Sequence, residues 1–178
     1  MDTIDPRVEK TFDGHSEITV SSAETLRMLL CYYFRKDCLD LEIPVAGDTI
    51  TRRQVIAMAF AEEANKDPSE VSNDDIEKYI KEMTHAYTWG SMPQIIAFAM
   101  MTKCHVRIWQ TRNVEDRQEL FIIDSVKHRE ASFTMELLFR CNHYDLMIPD
   151  AVFETLKERY PFVEDRVVNL PDVRVILE

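Results

Sequence analysis

Four segments between residues 89 and 149 decide the fold: W-G-S-M-P-Q-I-I-A-F-A-M-M (89–101), C-H-V-R-I-W (104–109), E-L-F-I-I-D-S-V (119–126) and L-L-F-R-C-N-H-Y-D-L-M-I-P (137–149). They read as a turn, an apolar helix and three short strands. Met92-Pro93 opens the helix, where a missing N–H costs nothing, and the run to Met101 is apolar nearly all round, as for a helix covered on several sides. Val106 and Ile108 alternate with Arg107, giving a half-buried strand, and Leu120 to Ile123 form a fully buried one. The third strand carries His143 and, two residues on, Asp145. Residues i and i+2 of a strand share a face, so the two side chains stand side by side where the pleat is regular. An imidazole oriented by a carboxylate is the base half of a thiol or hydroxyl hydrolase, because the carboxylate fixes the tautomer while the ring takes the nucleophile's proton. An H-x-D triplet also arises by chance, and spacing alone does not separate the two readings.

Upstream, Ser22 to Lys36 (S-A-E-T-L-R-M-L-L-C-Y-Y-F-R-K) has a serine start signal and apolar residues at Leu26, Leu29, Leu30 and Tyr33, the spacing of a buried helical face. Residues 37–50, with Pro44 and Gly47, read as an irregular connection long enough to bind a partner. Thr51 or Asp48 caps a helix with a Val55, Met58, Ala59, Glu62 stripe that ends near Asp67-Pro68. A short helix follows, capped by Asn73 or Asp74, with acids in its first turn. T-R-N-V-E-D-R-Q (111–118) reads as a polar hairpin loop, and residues 149–160 as a helix turning Val152, Phe153, Leu156 and Tyr160 inward. Residues 1–20 form a polar arm ending in a short strand at Glu17 to Val20, 21–160 the domain, and 161–178 a tail whose D-V-R-V-I-L-E supplies an edge strand or pairs with another chain.

With 178 residues, 46% apolar and 30% charged, the chain has the composition of one soluble globular domain. No apolar run is long enough for a membrane span, and the start M-D-T-I-D-P lacks the features of a secretory signal, so an intracellular (cytoplasmic or nuclear) protein is expected, with no membrane partner. A net charge of −11 repels a phosphate backbone and argues against nucleic acid, favouring a basic protein partner instead. Cys31, Cys38, Cys104 and Cys141 show neither C-x-x-C pairs nor regular spacing, and are expected as free thiols. The remaining histidines, His15, His85, His105 and His128, are scattered, so no metal or cofactor is implied.

The order W-G, helix with Ala97 and Ala99, strand ending in Trp109, strand L-F-I-I-D, then H-Y-D-L resembles the C-terminal half of the ovarian-tumour (OTU) cysteine protease family, most of whose enzymes are deubiquitinases. I-E-K-Y-I-K-E-M before the W-G resembles that family's Y-I-x-x-M helix, here with Tyr79 and Met83. The resemblance covers roughly residues 51 to 148. It implies an α+β (α/β) papain-type cysteine protease fold, a small central sheet flanked by helices, with His143 as general base and Asp145 as its acid. It also implies a protein partner, ubiquitin or a ubiquitin-like modifier.

The family's nucleophile lies in a D-G-x-C-L-F-R-A segment, where the helix N-terminus lowers the thiol pKa and the turn before it cradles the oxyanion. One placement sets this on Asp13-Gly14-His15-Ser16, with Ser16 at the nucleophile and no helix-like continuation. The preferred placement sets it on Ser22 to Leu29, with Thr25 at the nucleophile and Ala23 replacing the glycine. Both lack cysteine. A threonine hydroxyl is a far weaker nucleophile than a thiolate without a dedicated base. The leading expectation is a catalytically inactive OTU-like domain, a pseudoenzyme that keeps a vestigial His143 and Asp145 and acts as a protein-interaction module. The alternative is an active cysteine isopeptidase whose nucleophile is Cys31, within the first helix, or a cysteine that Ser16 has replaced. A homo-oligomer joined through the tail strand is a third class.

Overall fold

Capping chemistry sets the helices of the first of two compact units, Met1–Leu41 with Thr51–Thr88. The computed structural model describes residues 23–45, 48–85, 90–114, 117–141, 143–159, 167–170 and 173–176. The arm with Asp13, Gly14, His15 and Ser16, the strand expected at Glu17 to Val20, Trp89 and Tyr160 lie outside the described residues. Helix α1 is Ala23–Tyr32, and it stops short of the expected Lys36. Phe34 N–H turns back to the Cys31 carbonyl at 3.0 Å and Arg35 N–H to that of Tyr32 at 3.1 Å, tighter turns that end the helix. They leave Tyr33 and Phe34 buried with Leu29 and Leu30.

Helix α2 (Arg52–Ala64) starts in a capping box: Thr51 N–H donates to Gln54 Oε1 at 2.7 Å, and Gln54 N–H to Thr51 Oγ1 at 3.2 Å. Its buried residues are Val55, Ile56 and Ala61, whereas Met58 is 54% exposed, so the stripe expected through Met58 and Glu62 is corrected. The helix start fixes this rotation. Arg52 lies 3.6 Å over the Tyr33 ring and donates to the Tyr33 carbonyl at 2.6 Å, while Arg53 reaches Asp40 at 2.9 Å and Asn73 at 2.6 Å. The end comes at Asn65 in the left-handed region (φ 51°), ahead of Pro68. Helix α3 (Asn73–Met83) is capped by Ser72, not by Asn73 or Asp74, because Ser72 finds a carboxylate three residues on at Asp75 and completes a reciprocal box. Ile76, Tyr79 and Met83 are buried at helical spacing, and Tyr79 OH donates to Glu63 at 2.7 Å.

The second unit takes Glu42–Ile50 and Trp89–Glu178. The connection expected to be irregular contains two paired strands, β1 (Glu42–Val45) and β2 (Asp48–Thr51). β-branched Ile43, Val45, Thr49, Ile50 and Thr51 favour the extended chain, and both strands of a two-stranded sheet are edges, where Pro44 is tolerated. Helix α4 (Met92–Thr102) begins with Ser91 N–H donating to Gln94 Oε1 at 2.6 Å and ends at Lys103 in the left-handed region. Its Ile96, Ala97 and Ala99 are buried, and it lies against the first two strands of the main sheet.

That sheet has six strands: β3 (His105–Val114), β4 (Arg117–Val126), β5 (Thr134–Arg140), β6 (His143–Pro149), β7 (Val167–Leu170) and β8 (Val173–Ile176), ordered β4-β3-β5-β6-β8-β7. β3 and β5 are parallel and the other pairs antiparallel. The polar loop expected at 111–118 is mostly strand: β3 runs to Val114 and β4 starts at Arg117, with Arg112 bound to Glu119 across the pair at 3.2 Å. Cross-strand charge pairs let a hairpin extend beyond the apolar core. Helix α5 (Asp150–Arg159) contacts β6 and β8 and buries Phe153, while Val152, expected to face inward, is exposed. Tail residues form both β7 and β8, and β8 pairs with β6 inside the sheet. Helices with a mixed sheet make an α+β fold.

Candidate functional site

The segment L-L-F-R-C-N-H-Y-D-L-M-I-P, read from sequence as one strand, folds into two. β5 ends at Arg140, β6 starts at His143, and these two residues are paired across the hairpin. Cys141 occupies the turn with φ 49°, a left-handed backbone uncommon for a residue with a Cβ, and is exposed. Cys141 therefore does not share a strand face with His143, because the chain reverses between them.

His143 opens β6 at the surface, and Asp145 follows on the same face, only 5% exposed and directly opposite buried Leu138. The carboxylate has a strong partner in Arg140, whose Nε donates to Asp145 Oδ2 at 2.5 Å. Antiparallel register explains the contact: Arg140 stands opposite His143 and so lies diagonal to Asp145, within reach of a long side chain. Arg140 escaped the sequence reading. Its signal was R-C-N-H, which as a two-residue turn puts Arg140 beside both members of the pair.

The same face continues across the sheet. Glu136 on β5 is opposite Met147, and its carboxylate accepts from Trp109 Nε1 at 2.5 Å and Arg107 Nη1 at 3.0 Å. Beside this group lies a cavity of about 200 Å³ lined by Trp109, Leu120, Glu136, Met147, Ile148 and Pro149. Trp109 thus has a polar partner as well as an apolar wall.

Of the residues considered for the nucleophile, Thr25 and Cys31 belong to the first unit and Ser16 lies outside the described residues. Thr25 sits half-buried in the first turn of α1. Cys31 is the next-to-last residue of that helix and is 4% exposed. Burial pushes its thiol up to about 11, outweighing the attraction of Arg27. A position near a helix C-terminus disfavours a thiolate further, since the carbonyl ends carry partial negative charge. Cys38 is buried in a 3₁₀ turn (Lys36–Cys38), and Cys104 is buried before β3, its thiol raised by desolvation and held near the Thr102 hydroxyl. All four cysteines are free thiols. Among the described residues no group of His, Cys, Asp or Glu is arranged to hold a metal ion, and no helix is long and apolar enough to cross a membrane.

No curated protein and no solved structure matches the chain. A family model described as OTU-like cysteine protease matches residues 6–144, a span that takes in Ser16, Thr25 and His143 alike and so does not choose between the two placements of the nucleophile segment. Covering most of the chain, that match shows that the protein belongs to the OTU-like cysteine protease family.

Proposed function

We propose that this chain is a catalytically silent OTU-like domain, a deubiquitinase-like module that works by binding a protein, with ubiquitin or a ubiquitin-like modifier as the partner to test first. The observation that carries this reading is the chemistry of helix α1. Its first turn presents the hydroxyl of Thr25, and its one thiol, Cys31, is buried near the opposite end with a pKa of about 11. At neutral pH such a thiol carries far less thiolate than an unperturbed cysteine does. The thiolate is the nucleophile, so this position is poorly suited to attack. The grip of Arg140 on Asp145 supports the same reading, because a carboxylate shared with a guanidinium stabilises an imidazolium less than one left to it alone.

Two measurements on the full chain test the proposal separately. A ubiquitin probe with a C-terminal electrophile is expected to leave every cysteine unmodified, and covalent labelling of any of them overturns the silent reading. Isotope-labelled ubiquitin titrated with the protein is expected to show a localised set of shifted amide resonances. An unchanged spectrum at millimolar protein removes ubiquitin as the partner.

A further inference from the structure

The connection from β4 to β5, residues 127–133, is held against the start of β3 through two imidazoles. His128 N–H donates to His105 Nδ1 at 3.2 Å, and Glu130 N–H donates to His128 Nδ1 at 3.1 Å. In each bond the ring nitrogen is the acceptor. A neutral imidazole offers one such nitrogen and an imidazolium offers none, since both of its nitrogens then carry protons. Both bonds therefore require the uncharged ring, with its proton on Nε2. Further along, the connection is fastened by backbone alone: Ser132 N–H donates to the Lys103 carbonyl at 3.3 Å, and His105 N–H to the Phe133 carbonyl at 3.0 Å. One half of the connection thus depends on imidazole charge and the other half does not.

Histidine changes charge between about pH 5 and 8, and both rings are half-buried, so water reaches them. The charged groups around them come from each adjoining element. Lys103, just past α4, is bound to Glu130 of the connection at 2.6 Å, and that bond holds the Glu130 carboxyl below the ordinary carboxylate range. Glu130 therefore stays charged where the rings titrate. On β3, Arg107 shares the His105 face and is bound at 3.0 Å to Glu136, which stands opposite it on β5. Asp124 on β4 pairs with Ile108 and so lies on the other face. Lys127 and Arg129 flank His128 in the chain. A ring that takes up a proton loses its acceptor and adds a positive charge beside Lys103, Lys127 and Arg129, so both changes push the connection open.

We infer that His105 and His128 form an acid-released clasp on the β4–β5 connection: neutral imidazoles hold residues 128–130 closed, and their protonation opens that half while Ser132 and Phe133 stay anchored at Lys103 and His105. The inference goes beyond the proposed function and holds whether or not the domain is catalytic. Amide hydrogen exchange of the full chain, followed by NMR at about pH 7.5 and 5.5 on either side of the histidine range, tests it. Rates are expressed as protection factors, which remove the intrinsic effect of pH. At the lower pH the His128 and Glu130 amides are expected to lose protection by about two- to tenfold, as for one net hydrogen bond each, while the Ser132 and His105 amides keep theirs. His105→Asn and His128→Asn each put a carboxamide oxygen near the place of Nδ1, an acceptor that does not titrate, and asparagine at 128 closes an Asx turn onto the N–H two residues on. His105→Asn is expected to keep the His128 amide protected at the lower pH, and His128→Asn to do the same for the Glu130 amide. Circular dichroism checks that each variant folds, and since the two report on different amides, either one decides alone. Equal protection of the His128 and Glu130 amides at both pH values in the parent overturns the proposal. So does a loss that spreads to the Ser132 and His105 amides, which would be general acid opening, or one that persists in a folded asparagine variant, which would put the titrating group elsewhere.

Discussion

Removing the guanidinium of Arg140 is expected to cost more than removing the carboxylate it holds. The Asp145 side chain is 6% exposed and that of Arg140 40%, so water already reaches one partner and barely reaches the other. Breaking a buried pair costs about 3–5 kcal/mol, because a charge is left behind without compensation, whereas an exposed pair contributes about 0–1 kcal/mol. Arg140→Ala strands the buried carboxylate, and with one end of the pair solvated we place its cost at about 2 kcal/mol. Asp145→Ala strands a guanidinium that can turn to solvent, at about 1 kcal/mol. The double variant leaves no charge behind, so it is expected to be no less stable than Arg140→Ala alone, a coupling of about 1 kcal/mol or more. In a chain of this length these costs correspond to losses in melting temperature of about 4–8 °C and 2–4 °C. Urea titrations of the four proteins, followed by circular dichroism, close the cycle. Additive costs with Asp145→Ala the more damaging would refute the reasoning, since the carboxylate would then be held by something other than Arg140.

Three further outcomes follow from the described geometry. Of the four thiols only Cys141 is exposed, so a thiol-reactive chromophore at pH 7.5 is expected to titrate one equivalent quickly and the rest on unfolding, with the fast phase lost in Cys141→Ser; a second fast thiol traced to Cys31 would contradict its burial. Met83→Ala, at a buried site in the first unit, is expected to cost about 2–5 kcal/mol in urea denaturation, and a cost below 1 kcal/mol would deny that α3 is packed through that face. Ser72→Ala removes the cap of α3 and is expected to lower the melting temperature by about 2–4 °C at pH 7. The hydroxyl and N–H of Ser72 hold Asp75 below its ordinary 3.8, so the stability Asp75 contributes is present above that pH and is lost as pH falls through the lowered folded value. The gap between parent and variant therefore narrows on acidification below 3.8, and a gap that widens there would give the linkage the wrong sign.

Sequence periodicity served well wherever one contiguous face decided the structure. Leu26, Leu29, Leu30 and Tyr33 read as one helical face, of which Leu29, Leu30 and Tyr33 are buried, and the alternation of Val106 and Ile108 marks a strand. It served poorly where a turn is made of ordinary residues. R-C-N-H contains no glycine or proline, and its one turn-favouring residue, Asn142, was outweighed by the strand-like residues on either side, so the left-handed backbone of Cys141 that splits one apparent strand into two went unread. The polar hairpin end at 111–118 was likewise hidden, because its strands are held by cross-strand pairs such as Arg112 with Glu119, a partnership visible only once register is known. The rotation of α2 depends on Arg52 and Arg53 docking on Tyr33 and Asp40, which an apolar count cannot see. The shared strand face of His143 and Asp145 was legible from spacing, whereas the Asp145 to Arg140 bond required the hairpin register.

That bond changes what an H-x-D triplet signifies in this chain. A carboxylate buried in a sheet must be paired or it destabilises the fold. Asp145 meets that need through Arg140 on the neighbouring strand, so it has a structural task independent of any reaction. The surface position of His143 imposes no comparable demand, because water reaches a group there. The two residues are therefore separable by experiment. His143→Ala is expected to leave the melting temperature within about 1 °C of the parent, as for surface positions generally, while Asp145→Ala lowers it by the 2–4 °C derived above. Equal and large losses at both positions would mean that the histidine is also part of the sheet's support, and the distinction between a structural acid and a surface histidine would fall.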